Sequence, residues 1–158
     1  MGMARGVDIW AAEIVLNLRK KNKDLHSICA SPYEGFEAHW SQDWQKQYRK
    51  IIKKADYVKY VSPEYSPACF QIRNEYMVNH SNLLIAVYNG EAGGTSNTLN
   101  YAKKKDLEII VIDKCKRTFR LERPNFSLPM FYICVILLLH NNFLRSTSQN
   151  YHLMRQLF

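Results

Sequence analysis

The sequence lacks the residue patterns that build common metal and redox sites. Its four cysteines form no CxxC pair, and its five histidines form no HExxH motif or Cys/His cluster. A GxSxG nucleophile elbow is absent as well. The cysteines lie in or beside apolar segments, at positions 29, 69, 115 and 134. Buried free thiols in a reducing compartment are therefore predicted, with no metal and no cofactor.

Membrane-directing segments are also missing. The chain does not open on a basic stretch followed by an apolar run, as a signal peptide would. The apolar segment at residues 128–139 is 12 residues long, short of the roughly 20 residues that span a bilayer. The sequence thus predicts a cytoplasmic protein that binds no membrane.

Excess positive charge is scarce in most of the chain, although the net charge is +8. Residues 1–113 contain 15 Lys and Arg against 13 Asp and Glu, whereas residues 114–158 contain seven against one. Nucleic-acid binding needs positive charge clustered on the binding face. The nearly neutral part therefore argues against nucleic acid as the main partner, and only the basic tail favours it.

Helical and strand-like patterns alternate over residues 7–112. The predicted helices are residues 7–21, 40–55, 67–80 and 95–105, and the predicted strands are residues 25–30, 57–61, 83–88 and 107–112. This alternation predicts an α/β, Rossmann-like three-layer fold with a mainly parallel sheet. Such sheets bind ligands at the carboxyl ends of their strands, next to helix N-termini.

The first candidate site is the loop from Gly2 to Asp8, which precedes the first predicted helix. Its glycines, Gly2 and Gly6, permit tight turns and close approach of the backbone to a ligand. The helix that follows offers unpaired N–H groups to an anion, and Arg5 could add a charged contact. A plain turn whose Gly6 only fixes the geometry is the equal alternative.

The second candidate site is the loop Gly90-Glu-Ala-Gly93-Gly94-Thr95. It follows a buried strand and opens a helix, which is the context that supports phosphate binding. It lacks the Gly-Lys-Ser/Thr ending of a P-loop. Phosphate binding is favoured over a flexible turn.

Several polar residues lie between these loops. Arg73 and Asn74 share the third predicted helix. Arg73 either lies on the surface or points into the cleft, and spacing alone favours the surface, where arginine is common. Glu34, Glu37 and Asp43 could serve acid/base chemistry, but a solvated loop face is the favoured interpretation. The aromatic residues at positions 40, 44 and 48 have helical spacing, which favours core packing over base stacking.

These segments together resemble the YpsA-like branch of the SLOG superfamily. The opening Gly2-Met-Ala-Arg-Gly-Val-Asp-Ile-Trp-Ala-Ala-Glu13 carries the resemblance, and it is also similar to a loop of DprA (Smf) proteins. The pattern continues in order through Trp40, Tyr48, Ala55-Asp56, Tyr60-Val-Ser62, Tyr65, Arg73-Asn-Glu-Tyr-Met77, Leu84-Ile-Ala-Val-Tyr-Asn-Gly90 and Gly93-Gly-Thr95. The resemblance covers about residues 2–113.

The resemblance implies a module that binds a nucleotide or a nucleotide-derived ligand. Among the residues discussed, it implies roles in binding for Gly2, Arg5, Gly6, Asp8, Arg73, Asn74, Gly90, Gly93, Gly94 and Thr95. LOG phosphoribohydrolases belong to the same superfamily, but their catalytic Glu falls on Thr98 here, so hydrolysis of a nucleoside monophosphate is the weaker alternative. DNA binding by analogy with DprA is a further alternative.

The two ends depart from the family pattern. YpsA-like proteins begin with a strand, a Thr-Gly-His-Arg-Pro type loop, a helix and a second strand that enters the Gly-Met-Ala loop. The resemblance therefore predicts a gene fragment, with a sheet incomplete at its N-terminus. Residues 1–113 are predicted to form the partial domain, and residues 114–158 a basic, apolar tail with one helix around residues 130–144. The sequence predicts no oligomeric state.

Overall fold

The structure is a computed structural model that describes residues 1–113, 118–122 and 134–135. Four helices and six strands lie in these residues. The helices are α1 (Val7–Leu18), α2 (Gln42–Lys54), α3 (Cys69–Asn79) and α4 (Gly94–Lys104). The strands are β1 (Ile28–Ser31), β2 (Tyr57–Tyr60), β3 (Leu83–Tyr88), β4 (Glu108–Asp113), β5 (Thr118–Glu122) and β6 (Cys134–Val135).

The strand pairings confirm the α/β fold class. β1 and β2 pair in parallel, and β3 and β4 also pair in parallel, each pair being joined through a helix. β5 runs antiparallel to β4, and β6 runs antiparallel to β3. The architecture is therefore Rossmann-like, with antiparallel strands added to the second pair.

The helix predicted around residues 130–144 is wrong at the two residues of that segment that the structure describes. Cys134 and Val135 form β6, opposite Ala86 and Ile85 of β3. Their backbone groups bond to a strand about fifty residues earlier in the chain, a partner that the local apolar pattern does not reveal. The rest of the predicted helix lies outside the described residues.

β3 shows why the fold has three layers. All six of its residues are buried. Its odd-numbered residues pack in one apolar cluster with α1 and α2, whereas its even-numbered residues pack in a second cluster with α3 and α4. Because successive side chains of a strand point to opposite faces, the two helix pairs cover opposite sides of β3. β3 belongs to a four-stranded sheet of order β5-β4-β3-β6, and β1 and β2 form a two-stranded sheet.

Met1 lies alongside β1. Its amino group donates a hydrogen bond to the Ile28 carbonyl at 2.8 Å, and the Ala30 amide donates to the Met1 carbonyl at 2.8 Å. These two bonds are the pattern that one residue makes with a parallel neighbour. The segment from Gly2 onward therefore leaves the sheet at the end where β1 finishes, which we call the carboxyl edge.

Asp56 fastens the amino ends of β1 and β2 to the end of α1. Its carboxylate accepts the Ser27 amide at 2.7 Å and pairs with Arg19, the residue that follows α1. The Ser27 amide and then the Arg19 guanidinium hold the pKa of Asp56 below its ordinary value. This contact lies at the edge opposite the glycine loops, so it serves the fold and leaves the carboxyl edge open.

Candidate functional site

Arg73 connects α3 to the first glycine loop. Its guanidinium donates a hydrogen bond to the Gly2 carbonyl, 71 positions earlier in the chain. Only 7% of Arg73 is exposed, so its predicted surface position is wrong. The reason is that the first loop lies over α3, and the spacing of residues along α3 carries no information about what covers the helix.

Asp8 lies in the first turn of α1 and is 3% exposed. Its Oδ2 atom accepts the Ala4 amide at 3.1 Å, which closes the loop on itself. Burial raises the pKa of Asp8, while the charges of Arg73 and of the chain's amino group oppose that rise. A carboxyl group and a guanidinium are thus held together in a largely dry place.

Gly2 is required by this close arrangement. A Cβ atom at Gly2 would lie 2.7 Å from Arg73 Nη1, 3.0 Å from Asp8 Oδ2 and 3.1 Å from Met77 Cε. No side chain larger than hydrogen fits there without displacing a buried polar group. The first glycine of the loop therefore admits Arg73, and its role is contact rather than backbone freedom.

Asp8 and Arg73 both retain unused hydrogen-bonding capacity. Asp8 Oδ1 and Arg73 Nε are buried and have no hydrogen-bond partner in the part of the chain that the structure describes. An unpaired buried polar atom costs about 1–3 kcal/mol. Such atoms at a loop beside a helix N-terminus are typical of a site that is completed by a ligand.

The second glycine loop begins directly after β3. Gly90 is buried, and Gly93 immediately precedes α4, whose N-terminus has no side-chain cap. Gly94, the first residue of α4, is exposed, and Thr95 beside it is half-buried. The first-turn N–H groups of α4 therefore point out at the carboxyl edge, where an anion is favoured.

Thr98 is buried near the start of α4 and has a structural role. It is 1% exposed, and its hydroxyl donates to the Gly94 carbonyl at 2.8 Å within the same helix. A buried hydroxyl bonded to its own backbone neither carries charge nor reaches a sugar. Thr98 therefore offers no carboxylate at this end of α4.

α3 joins the two glycine loops through consecutive residues. The Arg73 side chain bonds the Gly2 carbonyl, and the Asn74 side-chain amide donates to the Gly94 carbonyl at 3.4 Å. The structure thus brings together Asp8 and these four residues at the carboxyl edge. They come from three separate segments of the chain, all of which the sequence marked as candidates.

The other predicted site residues lie around this cluster. Arg5 is exposed, and its guanidinium lies 5.6 Å from the centre of the Trp40 ring. Gly6 precedes α1 with φ 91° and open space around it, so it serves the backbone turn, as the plain-turn alternative proposed. Gly90, Gly93 and Thr95 belong to the second loop and its helix, without a contact to Asp8 among the bonds described.

Two polar residues at the carboxyl edge were missed by sequence reasoning. Asn89 directly follows β3, and Ser62 lies two positions after β2. The Asn89 Oδ1 and Ser62 Oγ atoms are buried without a hydrogen-bond partner among the residues described. Their placement just after predicted strands was the available signal, since parallel strands bring such positions to one edge.

The acidic residues after β1 divide between two roles. Glu34 and Asp43 are exposed, as predicted for a solvated face. Glu37 is 8% exposed and accepts a hydrogen bond from Arg49 Nε at 3.0 Å, so the prediction of a solvated face is wrong for it. That ion pair ties the loop to α2.

The described residues also show the state of two cysteines and bear on metal ligation and membrane crossing. Cys29 and Cys69 are free and buried, as predicted. The same prediction for Cys115 and for the Cys134 side chain lies outside the described part of the structure. Within the described ranges, no group of three His, Cys, Asp or Glu side chains could hold a metal ion. No helix in the same ranges is long and apolar enough to cross a membrane.

The fold and the paired glycine loops define a Rossmann-like α/β domain whose candidate site lies at the carboxyl edge of its sheet. The family model for YpsA, described as the YspA SLOG family, matches residues 1–115. The chain belongs to this SLOG family, which confirms the predicted resemblance.

Curated relatives support the same membership. The chain is 38% identical over 115 residues to the uncharacterized SPbeta prophage-derived protein YoqJ of Bacillus subtilis (strain 168), covering 65% of this chain and 67% of YoqJ. It is 34% identical over 110 residues to a UPF0398 protein of Bacillus thuringiensis (strain Al Hakam), covering 66% of this chain and 58% of that protein. The printed names of these relatives assign no ligand or reaction.

Proposed function

We propose that the protein binds the phosphate group of a nucleotide or nucleotide-derived molecule at the carboxyl edge, between the two glycine loops. The observation that carries the proposal is the double contact of α3, in which Arg73 and Asn74 bond the backbones of Gly2 and Gly94. Through consecutive residues of α3, this contact links a buried guanidinium to an uncapped helix N-terminus.

The electrostatics favour an anion at this place. The N–H groups of the first turn of α4 carry partial positive charge and have no side-chain cap. Arg73 is always charged and keeps its Nε free of partners among the described residues. Arg5 stands at the rim on an exposed side chain, from which it can reach a second charged group of the ligand.

Binding, rather than hydrolysis, is the activity that the residues support. By the resemblance, the carboxylate that LOG enzymes use falls on Thr98, whose buried hydroxyl instead bonds the Gly94 carbonyl. Asp8 is a carboxyl group near the site, but it braces the first loop through the Ala4 amide. DNA binding is disfavoured by the near neutrality of residues 1–113, and the cytoplasmic location stays a prediction from the sequence.

Isothermal titration of the full chain with nucleoside monophosphates tests the proposal. We expect saturable binding of at least one of AMP, GMP, CMP and UMP, abolished by Gly94→Trp because the indole would cover the first turn of α4. The matched control is Asn100→Trp, an exposed position further along the same helix, which should bind as the unaltered protein does. Unchanged binding in Gly94→Trp, or binding by neither protein, would overturn the proposal.

A further inference from the structure

Four aromatic side chains at the carboxyl edge form a closed ring of contacts, which we call the aromatic platform: Tyr33, Phe36, Tyr65 and Phe70. Each ring meets two others edge to face. The centroid distances are 5.7 Å for Tyr33–Phe36, 5.8 Å for Tyr33–Tyr65, 5.7 Å for Phe36–Phe70 and 6.4 Å for Tyr65–Phe70. Such contacts fix the four rings relative to one another.

The aromatic platform is not a buried core. Tyr65 is 62% exposed and Phe70 is 37% exposed, while Tyr33 and Phe36 are half-buried. Large aromatic rings held rigidly at a surface typically serve binding, because they offer contact area at little cost in side-chain entropy. Packing alone does not account for Tyr65, since most of its surface faces solvent.

The aromatic platform lies at the same edge of the sheet as the proposed phosphate site. Tyr33 and Tyr65 stand on the segments that leave β1 and β2, which remain joined there by the bond from the Ser62 amide to the Pro32 carbonyl at 2.9 Å. Phe70 lies three positions before Arg73 on α3, so the two residues occupy adjoining turns of one helix face.

Trp40 links the platform indirectly to Arg5 of the first glycine loop. Phe36 contacts Trp40 with ring centroids 5.0 Å apart, and the Arg5 guanidinium lies over the Trp40 ring. The aromatic platform is therefore linked to Arg5 through Trp40, and Phe70 shares α3 with Arg73.

The chemistry of the platform suits an uncharged, planar group. The exposed carboxylate of Glu34 stands next to Tyr33 in the chain and disfavours a second phosphate there. Aromatic rings stack with any nucleobase.

We propose that the aromatic platform is the base subsite of the nucleotide whose phosphate is held between the glycine loops. This inference rests on the proposed function and specifies its ligand as a molecule with an aromatic base, rather than a sugar phosphate or inorganic phosphate. The base stacks on the exposed face of Tyr65, and the Phe70 ring, inclined at 67° to Tyr65, flanks it.

The test compares nucleoside monophosphates with ribose 5-phosphate, which has the same sugar and phosphate but no base. The full chain should bind its best nucleotide about 5- to 150-fold more tightly than ribose 5-phosphate, the range expected for one stacked base. Tyr65→Ala should remove most of this preference and leave the affinity for ribose 5-phosphate unchanged. Tyr57→Ala is the matched control, because Tyr57 is 52% exposed and lies at the opposite end of β2.

Each outcome decides between the two proposals. Equal affinity for the nucleotides and ribose 5-phosphate would overturn the base subsite while supporting the phosphate site. A preference for the base that persists in Tyr65→Ala, or an equal loss of both affinities, would also overturn the base subsite. So would a change of oligomeric state in Tyr65→Ala without a change in affinity, since the platform would then bind another protein chain. Failure of every phosphate ligand would overturn both proposals.

Discussion

Gly2→Ala is the substitution whose effect follows most directly from the geometry. The new methyl group would lie 2.7 Å from Arg73 Nη1 and 3.0 Å from Asp8 Oδ2. Both side chains are buried and anchored by hydrogen bonds, so neither can turn away into solvent. Met77 Cε, at 3.1 Å, ends a flexible side chain and can yield.

Overpacking of this kind costs about 1–3 kcal/mol. The upper part of that range applies if the methyl group pushes Arg73 off the Gly2 carbonyl, because a buried charged donor would then lose its acceptor. For a chain of this size each kcal/mol lowers the melting temperature by about 2–4 °C. We therefore expect the melting temperature of Gly2→Ala to fall by about 2–12 °C.

Gly94→Ala provides the matched comparison in the other glycine loop. A Cβ at Gly94 would lie 3.8 Å from Asn74 Nδ2, which is ordinary contact. Alanine also favours the helical backbone over glycine by up to about 1 kcal/mol. The melting temperature of Gly94→Ala should equal that of the unaltered protein or exceed it by a few degrees.

Thermal unfolding followed by circular dichroism measures both variants under the same conditions. A Gly2→Ala variant that melts with the unaltered protein would show that Arg73 and Asp8 do not approach Gly2 closely. A Gly94→Ala variant less stable than Gly2→Ala would show that the close contact lies at Gly94 instead.

Three further predictions concern buried and titrating groups. Asp8 has a raised pKa when folded, so its contribution to stability is present below pH 3.8 and is lost as the pH rises through the folded pKa. In urea titrations, the free energy of unfolding of Asp8→Asn should therefore rise relative to that of the unaltered protein as the pH rises. Asp56 has a lowered pKa when folded, so its contribution is present above pH 3.8 and is lost as the pH falls through the folded value; Asp56→Asn should lose stability less steeply in acid, and an unchanged acid profile would contradict this. Tyr48→Phe should cost about 1 kcal/mol in the same titrations, because the buried Ser31 hydroxyl would lose its 2.8 Å bond to the Tyr48 hydroxyl, whereas the exposed Tyr57→Phe should cost nothing measurable.

The elements of the fold could be predicted because their patterns are local. β3 was predicted at residues 83–88 and lies there, since a strand buried on both faces is a continuous apolar run. α3 was predicted at residues 67–80 and occupies Cys69–Asn79, with its ends displaced by one or two residues. A helical or strand-like pattern can be recognised from residues that are adjacent in the chain, and both segments contain such a pattern.

The site could be predicted only in part because it is built from distant segments. The two glycine loops were identified from their own residues, but the contact that joins them spans 71 positions from Gly2 to Arg73. The aromatic platform was missed for the same reason. Tyr33 and Tyr65 lie in loops without periodicity, and they meet only because β1 and β2 are parallel and end at the same edge.

Nuclear magnetic resonance of the ¹⁵N-labelled full chain tests the central claim most directly. Addition of a nucleoside monophosphate should shift the backbone amides of Gly93, Gly94 and Thr95 downfield in a saturable manner, together with the Arg73 Nε–H, because these groups would donate to the phosphate. Saturable shifts confined to other residues, or no saturable shift with any of the four nucleotides, would contradict a phosphate site between the glycine loops.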